Sequence, residues 1–262
     1  SGFTPKPAME TMGIEEPKKT RTSKKKVNVE QVEEDKSSSA SIEDQVNTMI
    51  ENNDTTGLES IYKQIVKELA TKNLHGYLLS SVGPRPIALA STVDENGRPN
   101  LSPYSFFNVF SANPPIAIFS PARRVRNNTT KHTLENCQAT KQVVINVVNY
   151  DLVQQVSLSS TEYPAGTNEF LKSGLTMLPS DMVKPYRVAE SPVQMECLVN
   201  EIIPLGNQGG AGNLIICEVV KLHISDEVLN EDQSINQEKL DLVARAGGSY
   251  YSRAKKGFFE IP

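Results

Sequence analysis

The chain has no tryptophan, only three cysteines among its 262 residues, and no long apolar run. Cys137, Cys197 and Cys217 lie far apart within apolar or helical patterns, which excludes a disulfide framework and offers no zinc-ligand spacing. They read as reduced core residues of a cytoplasmic protein. No stretch reaches the roughly 18 to 20 apolar residues that span a bilayer, and the N-terminal segment has no signal-peptide apolar core, so no membrane association is expected. A basic excess is lacking as well. The net charge of −4 and a pI near 5.6 speak against nucleic-acid binding, which needs a cationic face to displace counterions from phosphates.

Familiar catalytic signatures are also absent: there is no GxSxG elbow, Walker loop or HExxH helix. The histidines, His75, His132 and His223, are scattered and suggest no metal site. The glycine-rich "NQGGAGN", Asn207 to Asn213, joins two strand patterns and opens no helix, so it is a flexible hairpin connection and not a dinucleotide fingerprint.

What is present divides the chain in two. Residues 1–57 are poor in aromatics and rich in Lys, Glu, Ser, Asn and Thr, which reads as a disordered or weakly structured tail; residues 58–262 read as one globular domain. Within the tail, "KKTRTSKKK" from Lys18 to Lys26 is followed by the acidic "EQVEED", a self-compensating solvated stretch or a polyanion-binding arm. "SIEDQVNTMI" and "LESIYKQIVKELATKN" carry helical spacing. From Gly76 the period becomes that of strands, in "YLLSSV", "RPIALASTV", "NLSPYSFFNVFS" and "PPIAIFSP", with Asn-Gly of "DENGRP" supplying a tight reversal. "NNTTKHTLENCQATK" predicts a helix capped by Thr130 or Thr133, with Leu134, Cys137 and Ala139 facing inward. An apolar strand, two short helical patterns and two long strands complete the chain. With no repeating βα unit, the order predicts a mainly β protein, a closed antiparallel barrel with peripheral helices.

Two stretches carry candidate chemistry. "SPARRVRNNTTKHTLEN" leaves an apolar strand at Ser120, passes Arg123, Arg124 and Arg126, and enters a helix: free N–H groups, hydroxyls and Lys131 there form a phosphate cradle, although a capped helix with exposed basic residues would use the same pattern. The hairpin "GPRPIALASTVDENGRPNLSPYSFFN" places Ser91, Thr92, Ser102 and Ser105 in otherwise buried strands. Buried hydroxyls need partners, either backbone groups or the polar edge of a planar heterocycle. Pro84, Pro86 and Pro103 remove ladder donors and so mark sheet edges or openings.

The stretches "SVGPRPIALASTVDENGRPNLSPYSFFNVFSANPPIAIFS", "KHTLENCQATKQVVINVV", "VAESPVQMECLVNEIIPLG" and "LDLVARAGGSYYSR" together resemble the flavin reductase-like family with the FMN-binding split barrel, which includes flavoredoxin. The resemblance runs in order over residues 74 to 262. It implies a Greek-key split barrel that dimerises, with FMN, or FAD as the alternative, held near the subunit interface and NAD(P)H as transient electron donor. By matching motifs, Ser91, Thr92, Ser102, Pro103, Tyr104 and Ser105 would border the isoalloxazine and ribityl chain, with Arg85 near the ring's polar edge. Ser120, Arg126, Lys131 and Thr133 would hold the phosphate. The expected activity is flavin-dependent electron transfer to flavin or another acceptor, needing no protein nucleophile. The alternatives are a flavoredoxin-like carrier reduced by a protein partner and a non-catalytic flavin module with a partner-recruiting tail. The chain departs from the family pattern at its ends, where "GFTPKPAMETMGI" stands at the N-terminus and resembles a segment that relatives carry after "FEIP".

Overall fold

The computed structural model describes residues 42–60, 71–125, 127–164 and 166–258. Of the sequence expectations, the tail up to residue 41, residues 61–70 of the second helical pattern and Arg126 lie outside the described residues. The chain divides into two compact units, Ser1–Tyr62 and Lys63–Pro262.

In the first unit α1 (Ile42–Glu51) occupies the first helical pattern, and residues 55–60 are helical. Asp54 starts that second segment by accepting the N–H of Gly57 at 2.9 Å, an ordinary N-cap arrangement.

The first described element of the second unit is α2 (Thr71–Ser81). This corrects the strand expected for "YLLSSV". A short apolar run fits either element, and here Tyr77 and Leu78 are more than half exposed, so no sheet face covers them. β1 (Ala88–Val93), β2 (Pro99–Tyr104), β3 (Phe107–Ala112), β4 (Pro115–Phe119), β5 (Gln142–Val147), β8 (Val193–Pro204) and β9 (Asn213–Ile224) form a seven-stranded antiparallel sheet in the order β2-β1-β5-β8-β9-β4-β3. Two small ladders, β6 (Met177–Leu178) with β7 (Arg187–Val188) and β10 (Val243–Arg245) with β11 (Tyr251–Arg253), stand apart. The helices are α3 (His132–Thr140), α4 (Val153–Ser159), α5 (Glu169–Ser173) and α6 (Gln237–Leu240). Among the described residues no helix is long and apolar enough to cross a membrane.

The sheet is closed by a corner. "NLSPYSFFNVFS" is two strands, not one: β2 and β3 are separated only by Ser105 and Phe106, yet they sit at opposite ends of the strand order. In a flat sheet those ends would be about 29 Å apart, six spacings of about 4.8 Å. Three residue steps reach only about 10 Å. The sheet must therefore curl until its edges meet at this corner and diverge beyond it, which makes the fold a split barrel. Pro103, with no N–H to give, lies in edge strand β2, as its chemistry requires.

Apolar side chains pack on both faces. Ala88, Ala90, Tyr104, Ala117, Phe119, Val143, Ile145, Cys197, Ile215 and Cys217 form one cluster with Leu134 and Cys137 of α3; Leu89, Leu101, Val148, Leu152, Val156 and Phe170 form the other, against α4 and α5. β1 contributes to both, which is why all six of its residues are buried. The cysteines are free and buried, and burial pushes the Cys137 thiol up to about 12 and the Cys197 and Cys217 thiols higher still.

Candidate functional site

The hairpin that opens the barrel is set by its turn. Asp94 Oδ1 accepts the N–H groups of Asn96 at 2.9 Å and Arg98 at 2.8 Å, while Gly97 takes the positive φ of 79° that the reversal needs. From there β2 runs antiparallel to β1 with Ser91 opposite Leu101 and Ala90 opposite Ser102.

Ser91 and Thr92 point into the protein, both fully buried. Thr92 Oγ1 accepts from the side-chain amides of Asn100 at 3.2 Å and Asn136 at 3.0 Å, and the Asn100 amide also donates to Thr133 Oγ1 at 2.9 Å. This network ties the first turn of α3 to β1 and β2. Ser91 Oγ has no partner among the described residues.

α3 begins at His132 with Lys131 in the N-cap position and no side-chain cap, so neither Thr130 nor Thr133 caps it. Thr133 is buried and engaged by Asn100 instead, and Thr130 Oγ1 bonds Glu135. Leu134 and Cys137 face the core as their spacing implies, while Ala139 is exposed.

Around this helix start lies a cavity of about 260 Å³, lined among others by Ser102, Tyr104, Arg124, Lys131 and Thr133 and walled by residues 159–163. Lys131 Nζ stands 5.2 Å from the centroid of the Tyr104 ring. Burial, and then the Arg124 charge, hold the Lys131 ammonium below the usual lysine range, with Glu162 acting in the opposite sense. Arg124 Nε pairs with Glu162 Oε1 at 2.8 Å, and its Nη1 donates to the Thr130 carbonyl. Burial pushes the Tyr104 phenol up to about 12. The side chains of Thr133 and Ser102 oppose that rise, yet the buried hydroxyl has no hydrogen-bond partner of ordinary geometry among the described residues. A buried O–H without a partner is costly, and it accounts for itself best if a ligand oxygen completes it.

A second cavity, of about 370 Å³ and largely apolar, is lined among others by Val82, Arg85, Ser105, Phe106, Phe107, Phe119 and Ser120. The two cavities adjoin through one aromatic contact: Tyr104 of the first packs on Phe119 of the second with ring centroids 5.5 Å apart. Arg85 is only 6% exposed. Its Nη1 donates to the carbonyls of Leu79 and Val82 at the end of α2, its Nη2 to Ala246 O at 3.1 Å and its Nε to Ser105 Oγ at 3.3 Å. No carboxylate pairs with it among the described residues, and burial, then Arg245, lower its pKa.

Of the residues singled out from sequence, Ser102, Tyr104, Lys131 and Thr133 meet at the first cavity, and Arg85, Ser105 and Ser120 at the second. Pro103 stands between Ser102 and Tyr104 in β2 and lines neither cavity, Ser91 and Thr92 are buried in the core, and Arg126 is outside the described residues. Sequence reasoning did not single out residues 159–163, although their "SSTEY" run of hydroxyls at a helix end was a visible signal. His223 lies with Glu196 and Asp181, whose ligand atoms are within 4.8 Å of one another. Glu196, however, spends its oxygens on the N–H groups of Asp181, Met182 and Val183 and on His223 at 2.6 Å, which makes it a loop anchor.

A split barrel with a cationic, hydroxyl-lined cavity at a helix start beside a largely apolar, aromatic one has room and chemistry for a ligand with an anionic and a planar part. Residues 80–247 match the model of the flavin reductase like domain, and the chain belongs to that family. A protein of Aquifex aeolicus (strain VF5) without characterised function is 35% identical over 190 residues, covering 72% of this chain and 94% of the relative. The structure of nitrilotriacetate monooxygenase component B from Bacillus cereus superposes with a TM-score of 0.69 at 28% identity, over 74% of this chain and 96% of that one. A protein of Shewanella frigidimarina NCIMB 400 assigned as a flavin reductase with a split barrel domain gives a TM-score of 0.65 at 27% identity, over 76% of this chain and 96% of that one.

Proposed function

We propose that the protein binds FMN noncovalently and works as an NAD(P)H-dependent flavin reductase-type oxidoreductase, passing electrons to free flavin or another acceptor. The observation that carries this reading is the first cavity, where Lys131, Arg124 and the buried Tyr104 hydroxyl, without a partner of ordinary geometry among the described residues, converge at the start of α3. Two cations and free donors at a helix N-terminus suit a terminal phosphate. Thr133 Oγ1 accepts from Asn100, which keeps its own O–H available to donate. Ser105, Ser120 and the aromatic walls of the adjoining cavity suit the ring system, and Arg85 places there a cation that no carboxylate pairs with among the described residues. Bound flavin would supply the hydride-accepting chemistry; the residues of this chain bind it, orient it, exclude water and bias its charge. Phe106, Val109 and Phe110 leave an apolar surface exposed at the second cavity and along β3, which supports a homodimer that covers this region.

The test is the cofactor itself. Protein purified with its ligand is heated and the released compound identified chromatographically; FMN is expected, and FAD or no flavin overturns the assignment. Lys131→Ala is expected to weaken FMN binding by about 10- to 100-fold, the loss of one charge-assisted hydrogen bond to phosphate. Rapid mixing with NADH and NADPH then separates a reductase, whose flavin bleaches directly, from a carrier that needs a protein donor.

A further inference from the structure

The loop that carries the cradle cations is not self-supporting. It is bolted to the β8–β9 connection, residues 205–212, by paired backbone bonds: Arg123 N–H donates to Ala211 O at 2.8 Å and Gly210 N–H donates to Arg123 O at 3.0 Å. Asn128, held at a positive φ of 55°, sends its side-chain amide to Asn207 O at 2.9 Å, while its Oδ1 accepts from Arg123 Nε at 2.7 Å. The buried Asn213 side chain adds a bond to Pro121 O at 3.0 Å.

The contact is close enough to demand glycine. A Cβ on Gly209 would lie 2.9 Å from both the Cα and the carbonyl oxygen of Val125, and 3.1 Å from Arg124 O. These are backbone atoms, so relief requires the 123–125 segment and the glycine-rich connection to move apart, and no side-chain rotation can supply it. A Cβ on Gly212 would lie 2.6 Å from Ser120 Oγ. What moves Arg124 moves the helix start, because its N–H bonds Thr129 O at 2.9 Å and its guanidinium holds Thr129 and Thr130 just ahead of Lys131.

We propose that the glycine-rich β8–β9 connection is the positioning element of the anion cradle, with Gly209 and Asn128 setting where Arg124 and Lys131 stand. None of residues 205–212 lines the first cavity, so they act through the loop and touch no ligand there. The inference rests on the proposed phosphate site and adds a determinant in an element whose sequence reads as a flexible connection.

The experiment compares full-length wild type with Gly209→Ala and Asn128→Gly, the second chosen because glycine keeps the positive φ and removes only the amide ties. Each apoprotein is titrated with FMN and with riboflavin, which lacks the phosphate, and its thermal midpoint is recorded. Both variants are expected to raise the FMN dissociation constant about 10-fold while changing that of riboflavin less than about 2-fold. A parallel loss for both ligands, or no loss for either, overturns the positioning role. Wild-type protein that binds riboflavin as tightly as FMN, or binds neither, overturns the phosphate reading and this inference with it.

Discussion

Ser91 and Thr92 are neighbours in β1 with the same sequence signature, a small hydroxyl in an apolar strand, and their environments are opposite. Thr92 Oγ1 serves two side-chain amides, from Asn100 and Asn136, in a wholly buried network. Thr92→Val keeps the shape and leaves both amides short of an acceptor, a loss of about 2 kcal/mol of stability. Ser91 Oγ has no partner among the described residues, so Ser91→Ala removes a polar group that gained nothing by being buried. It is expected to leave stability within about 0.5 kcal/mol or to raise it. Urea unfolding of the pair decides; equal destabilisation by both would refute this account. The sequence could pick out both hydroxyls but not their partners, because Asn136 is remote in the chain and meets Thr92 only when α3 packs on β1. Lys131 and Tyr104, a cation and a phenol, announce polar chemistry in sequence and do line one cavity, whereas the carbonyls that hold Arg85 carry no sequence mark.

At the scale of elements, periodicity resolved the strands and left two errors with a common cause. "YLLSSV" and "NLSPYSFFNVFS" are apolar runs whose assignment depends on what covers them, and coverage is a tertiary property. The long strands β8 and β9 and helix α3 were legible because their patterns are sustained. The β10–β11 ladder rests on a charge cluster that no short window reveals. Asp241 accepts Arg253 Nε at 2.8 Å and Lys255 Nζ at 2.9 Å, and these hydrogen bonds hold its carboxyl down at about 2. A folded-state pKa below the unfolded value of about 3.9 contributes stability that is present above that value and is lost as pH falls toward 2. Asp241→Asn should therefore lower the urea midpoint at pH 7 and show a shallower decline than wild type between about pH 4 and pH 2. Parallel curves for the two proteins across that window would remove Asp241 from the explanation.

For the whole molecule, the family, the mainly β class and the split barrel were readable from ordered motifs, whereas the order of elements alone pointed to a fully closed barrel that the open order β2-β1-β5-β8-β9-β4-β3 does not form. How the barrel's edges meet was not readable, since a bend of two residues looks in sequence like a strand continuing. That bend also has a consequence for the order of assembly. Ser105 and Phe106 chain together two hairpins, β1–β2 and β3–β4, whose pairings are all local. The sheet's interior, by contrast, is completed by partners remote in sequence, such as Phe119 with Ile215 and Val143 with Cys197. Loop-closure entropy opposes the remote pairings until much of the chain is in place. The barrel is thus expected to be stitched first at its outer strands and filled last at its middle, with the β8–β9 hairpin arriving as a unit. Pulsed hydrogen exchange during refolding would show β1–β4 amides protected before those of the β4–β9 ladder, and the reverse order would count against this route.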